Sequence, residues 1–260
     1  MSAKAPLPPD PSAWQAQYLR LIAFPTTPQV AVEQNWWQDL TGLEVESSLR
    51  KRHERADTGV FQGVSLELEI DELRVRWTTS PRLDPSNPPE QLPILGPFLE
   101  RREWFQGLMS GWLQHCPPIK RLAFAGALVQ PLEDHRSGYQ LLDRYLRKVE
   151  VDPDTSDFLY RINRRTASAT DIPHLFINRL TTWTAAQYRV EIRVGLTGQP
   201  GFEGSQPVAR KEQDVCALEL DINTVPDFPD GVLPQGELQR IFAELVEVGG
   251  DIASHGDTKI

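Results

Sequence analysis

The sequence is poor in the residues that usually mark a secreted, metal-built or classically catalytic protein. Cysteine occurs only at Cys116 and Cys216, and neither has a partner at ligand spacing. One closes an apolar helical pattern and the other opens an alternating strand pattern. This favours two reduced, buried thiols in a cytoplasmic protein over a disulfide or a metal pair. No window approaches the roughly eighteen consecutive apolar residues of a membrane-spanning helix. Residues 1–13, with Pro6, Pro8, Pro9 and Pro11, lack a basic region followed by an apolar run, and so read as a disordered leader rather than a secretory signal.

Common catalytic signatures are missing too. The chain has no GxxxxGK[ST] phosphate loop, no GxGxxG after a strand, no HExxH and no GxSxG. Its five histidines, His53, His115, His135, His174 and His255, are scattered. His115 adjoins Cys116, but neighbouring side chains on a helix point about 100° apart and do not readily share one ion. These absences predict no metal and no cofactor, and they leave the catalytic residues, if any, unknown.

What is present is an ordinary globular composition, with 40% hydrophobic and 24% charged residues and 7 Trp and 10 Phe to fill a core. The net charge of −9 is concentrated at one end. From Glu212 to Ile260 there are 11 acidic and 2 basic residues, so residues 1–211 carry 25 of each sign. An acidic end segment disfavours nucleic-acid binding there and leaves the rest of the chain open to it.

Hydrophobic periodicity predicts an α+β protein. The apolar run Tyr18–Phe24 is followed by a helix over 28–41, with Thr27 as N-cap, Pro28 at the first helical position and Gly42 at the stop. Residues 64–77 alternate as a hairpin. A two-residue turn at Asp71-Glu72 would pair Glu69 with Arg74 and Glu67 with Arg76, though Asp-Glu is not a preferred turn dipeptide and a longer turn stays open. A helix over 96–114, stopped by Pro117-Pro118, contains Gly107 and Gly111, which suggests close packing against a neighbour. A buried strand at 119–129, a helix at 137–149 and strands at 158–166, 174–181 and 186–194 come next. A polar loop at 195–213, a strand from Cys216 and a closing amphipathic helix through Leu238, Ile241, Phe242, Leu245 and Val246 complete the chain. Segments 28–115 and 137–255 share one order of elements. The expected architecture is two pseudo-repeated lobes, 14–130 and 131–260, each an antiparallel sheet covered by a long amphipathic helix and together making one compact unit.

The strand Leu218-Glu219-Leu220-Asp221-Ile222-Asn223, the acidic loop after it and the helix from Glu237 to Ser254 resemble the end of a sporadically distributed family of bacterial proteins of about this length, without an assigned activity. The block Val64–Val129, with its hairpin, helix and Ile119-x-Arg121-Leu122 strand start, is similar to it as well. Where members usually carry an Arg-Tyr-Asn-like stretch, this chain has Phe124-Ala125-Gly126-Ala127. The resemblance implies a duplicated α+β fold and transfers no catalytic residue. A sporadic distribution also suits a mobile-element or antiviral-defence module.

Basic residues supply the most distinctive cluster. Arg50, Lys51, Arg52 and Arg55 lie in the first lobe, with Arg50 and Arg52 expected on one strand face and Lys51 and Arg55 on the other. Arg161, Arg164, Arg165 and Arg179 lie in the second lobe, near Tyr160 and Phe176. Guanidinium forks suit phosphates and carboxylates alike, so these eight are the candidate partner or phosphate contacts. Glu67/Glu69 and Glu219/Asp221 read as solvated strand faces rather than an acidic catalytic pair. The leading expectation is a non-catalytic binding or scaffold subunit, with a protein partner or self-association. A nucleic-acid binder using the Arg-rich strands is the alternative, and a hydrolase or nuclease with an unfamiliar site the third reading.

Overall fold

The computed structural model describes residues 10–27, 35–84, 89, 91–152, 154–155, 157–193, 207–226, 228 and 231–257. Within them an antiparallel sheet dominates. Its strands are β1 (Gln15–Pro25), β2 (Ser47–Arg50), β3 (Arg55–Phe61), β4 (Val64–Ile70), β5 (Val75–Ser80), β6 (Gly96–Pro97), β7 (Ile119–Pro131), β8 (Phe158–Ala167), β9 (Phe176–Arg193) and β10 (Pro207–Thr224). Four helices accompany it: α1 (Trp36–Thr41), α2 (Phe98–Leu113), α3 (His135–Tyr145) and α4 (Leu238–His255). The fold is α+β, as the periodicity predicts.

β1 and β7 pair at the centre. Outward from β1 come β5, β4, β3 and β2, and outward from β7 come β10, β9 and β8, so one sheet runs through both halves of the chain. The short β6 pairs with the start of β1.

Alternation puts every second side chain of each strand on the same face, and the buried residues mark which face is inward. Leu66, Leu68, Val75, Trp77, Leu19, Leu21, Phe124, Cys216, Leu218, Leu220, Ile222, Ile177 and Trp183 are all buried on it. The helices pack there. Trp37 of α1 stacks on Trp77, and Phe242 of α4 meets Phe124 and Phe105 edge-on at 6.1 and 6.3 Å. Trp14, Tyr145 and Trp183 form a second aromatic group, and the Trp14 indole N–H donates to the Ala253 carbonyl at 2.8 Å. All five large residues of the closing stripe, Leu238, Ile241, Phe242, Leu245 and Val246, are buried.

Several details depart from the sequence-based expectations. Residues 10–13, read as part of the disordered leader, hold a 3-10 turn at Pro11–Ala13, because the Asp10 carboxylate accepts from the Ser12 N–H. Residues 28–34 of the expected 28–41 helix lie outside the described residues, and α1 begins at Trp36. The β4–β5 turn is longer than two residues. Asp71 Oδ1 accepts from the N–H groups of Leu73 and Arg74, which closes a four-residue loop and moves each partner in β5 by two residues. Glu69 therefore faces Arg76, with which it forms an ion pair, and Glu67 faces Thr78. By contrast β3 and β4 do join through two residues, Gln62 and Gly63, both at positive φ (49° and 83°), the geometry a tight hairpin demands.

The expected strands at 174–181 and 186–194 are a single strand, β9, because Thr181–Ala186 stay in register with β10. β10 starts at Pro207, inside the segment expected to be loop, while residues 194–206 lie outside the described residues. Gly107 has open space where a Cβ would stand, and Gly111 only an ordinary contact with Leu40, so neither marks a tight approach. That role falls to Gly249 and Gly250 in α4. There a Cβ would press on Phe124 in one case and sit on the Arg102 guanidinium in the other.

Candidate binding surface

The eight basic residues divide by face and by edge. Arg55, first in β3, is buried and forms an ion pair with buried Asp57 at 2.7 Å. Arg164 and Arg179 face each other across the β8–β9 pairing on the helix-bearing side. Arg164 holds Asp257 through two bonds of 2.7 and 2.8 Å, and the Tyr160 hydroxyl donates to the same carboxylate at 2.9 Å. The Arg164 hydrogen bond keeps the Asp257 carboxyl below its usual range, and the same bond raises the guanidinium's own value. Arg179 is only 3% exposed; burial lowers its pKa, and the charges of Asp257 and Asp251 oppose that shift. These three arginines are therefore committed to the interior.

The other five point to solvent. Arg50 ends β2, and Lys51 and Arg52 lie in the connection to β3 rather than on a strand, with Lys51 bonded to Glu54 at 3.4 Å. Arg161 and Arg165 are exposed on the face of β8 away from the helices, and the Arg165 guanidinium lies 4.4 Å from the Phe176 ring centroid. β2 and β8 form opposite ends of the sheet. Eight strand intervals separate them, about 35–40 Å at the usual spacing. The two basic groups do not merge into one patch.

The face of the sheet opposite the helices has a different make-up. Ala123, Ala125 and Ala127 of β7, with Ala217 of β10, give a low floor at its centre. The FAGA stretch fits this position, since Phe124 points inward to Phe242 while its alanine neighbours point out. Around the floor, several polar side chains are bonded to one another. Arg121 Nη2 and Asn178 Nδ2 both donate to Asn223 Oδ1, at 2.9 and 3.1 Å, and Asn223 Nδ2 donates to Asp221 at 2.8 Å. The Tyr188 hydroxyl donates to Gln17 Oε1 at 2.8 Å, and Arg20 Nε donates to Thr78 Oγ1 at 3.0 Å while lying over the Tyr18 ring. Burial raises the pKa of Tyr18 and of Glu67 and lowers that of Arg20. A depression of about 360 Å³ on this face is lined in part by Gln17, Ala127, Thr182, Tyr188 and Glu219.

Among the described residues no group of three or more His, Cys, Asp or Glu could hold a metal ion. His115 is exposed while Cys116 beside it is buried. Burial pushes the Cys116 thiol up to about 11 and raises the Cys216 thiol as well, so both are free thiols with little thiolate near neutral pH. Among the described residues no helix is long and apolar enough to cross a membrane.

Sequence reasoning missed Asp257, Gln17 and the Asn178–Asn223 pair. Asp257 sits 93 positions from Arg164 in a polar end, where no periodicity signals a contact. No protein-family model matches this chain, and no curated protein matches it.

Proposed function

We propose that this chain is a non-catalytic binding module, a scaffold subunit of a bacterial multi-protein assembly. The observation that carries this reading is the broad sheet face opposite the helices. On it Arg121 and Asn178 are bonded to Asn223 and Tyr188 to Gln17, and among the described residues no group of three or more His, Cys, Asp or Glu could hold a metal ion. Such a face offers area and shape rather than a reaction. Separation of the two exposed basic groups to opposite edges argues against a single nucleic-acid track.

The reading extends to architecture. The order strand, helix, three-strand meander, helix describes β1, α1, β3–β5 and α2, and it describes β7, α3, β8–β10 and α4 equally well. This supports an internal duplication about the β1–β7 pair, and with it the likeness to the sporadic bacterial family seen in the LDIN strand and closing helix. A mobile-element or defence setting follows from that likeness alone.

The test is titration of the purified chain with short single- and double-stranded DNA and RNA near physiological salt. No submicromolar complex and no cleavage are expected. A tight, salt-sensitive complex lost on Arg161→Ala/Arg165→Ala would replace the scaffold reading with a nucleic-acid one, and cleavage would replace it with an enzyme.

A further inference from the structure

We infer that the free edge of β8 is a docking site for an extended segment of an acidic partner protein, added as a further antiparallel strand. This deepens the binding-module reading and rests on it. β8 is ten residues long and, among the described residues, pairs with β9 alone. Among the described residues, no backbone hydrogen bond reaches it from any other segment. At the far end of the sheet the situation differs, for β3 is flanked by β2. The chain between α3 and β8, residues 146–157, supplies no matching strand among its described residues. Among the described residues, no strand fills the position beside β8 that corresponds to β2.

The side chains along that edge define what would fit. Arg161 and Arg165 stand exposed on one face, and Leu159 beside them is 70% exposed. On the other face Tyr160 and Ile162 are half-buried, and the Arg164 charge is already met by Asp257. Directly opposed residues of an antiparallel pair lie about 4.5–5.5 Å apart. An added strand would thus set carboxylates against Arg161 and Arg165, and apolar side chains against Tyr160 and Ile162. Its signature is alternation of acidic and apolar residues. A second copy of this chain is the poorer occupant, since β8 against β8 gathers four cations on one face. Edge charges can also serve simply to discourage pairing, and the experiment separates the two roles.

The probe is a synthetic peptide matching β8 in length, alternating Glu and Val, with an alternating Lys and Val peptide as control. Amide hydrogen exchange and fluorescence anisotropy are read on the full chain. Saturable binding of the Glu peptide is expected, with new protection confined to β8. Arg161→Glu/Arg165→Glu, at exposed positions that leave the melting temperature unchanged, should weaken it at least about tenfold and make the Lys peptide the preferred ligand. Equal binding of both peptides, absence of binding, or β8 protection arising from concentration-dependent self-association would overturn the edge assignment. Protection at β1 and β7 instead would overturn it while leaving the binding module intact, whereas cleavage of the peptide would overturn the module itself.

Discussion

The two faces of the sheet use arginine in opposite ways. On the helix-bearing face Arg55, Arg164 and Arg179 are buried or nearly so, each held close to carboxylates. On the other face and at the rim, Arg161, Arg165 and Arg50 reach water. Residues one position apart in β8, Arg164 and Arg165, thus belong to different worlds, because strand alternation sends them to opposite sides. A cluster of cations in sequence is not a cluster in space.

Substitutions can break or sharpen this contrast, beginning with the packing that makes one face dry. Phe242→Ala removes the ring shared by Phe105 and Phe124 and should cost about 3–5 kcal/mol, read by chemical denaturation. Melting within two or so degrees of wild type would show that the α4 stripe is only loosely docked. Next, Arg164→Ala strands the Asp257 carboxylate, whose side chain is 9% exposed, and should cost about 3 kcal/mol. A loss below about 0.5 kcal/mol would move Arg164 to the solvent class.

Acid should act on the same contact. The folded Asp257 carboxyl titrates below its unfolded value of about 3.9, so its stabilisation is complete above that pH. It fades as pH falls through the lowered folded value. Asp257→Asn should therefore differ from wild type by a constant amount above about pH 5, and the gap should shrink below about pH 4. A gap that persisted unchanged into acid would remove the charge from the explanation. Smaller still, Arg161→Ala/Arg165→Ala should shift stability by no more than about 0.5 kcal/mol per site. Last, dialysis against a chelator should leave the unfolding midpoint where it was, and a drop of about ten degrees would reveal a structural metal ion.

Much of the local structure was legible in the sequence, for a physical reason. Alternation through Val64–Ile70 and Cys216–Ile222, and the stripe from Leu238 to Val246, report burial directly, and each forms as its period predicts. Pairing was less legible. The Glu69–Arg76 register turns on which backbone N–H groups Asp71 accepts from, and charge complementarity alone suits either register. The continuity of β9 escaped because Thr181–Ala186, Trp183 apart, are small or hydroxylated and look like a break, although each has a partner in β10. The eight candidate contacts were found as residue types, but their division into interior and surface was not. That division depends on Asp57, Asp251 and Asp257, and on a strand order no local pattern encodes.

The place of β10 has a consequence for how the protein is made. This strand lies between β7 and β9, both of which are synthesised before it. Until Thr224 has left the ribosome, β7 has one unpaired edge, and the apolar side chains that β10 and α4 will cover, Phe124 among them, have no permanent neighbours. The nascent sheet must wait with a gap in its middle. Closing it requires contacts between residues about 90–100 positions apart, as Leu128 meets Leu218, which favours slow completion and a period of exposure to aggregation. A chain that stops short of β10 loses more than a terminal piece, because it keeps two strand edges that the finished protein never shows.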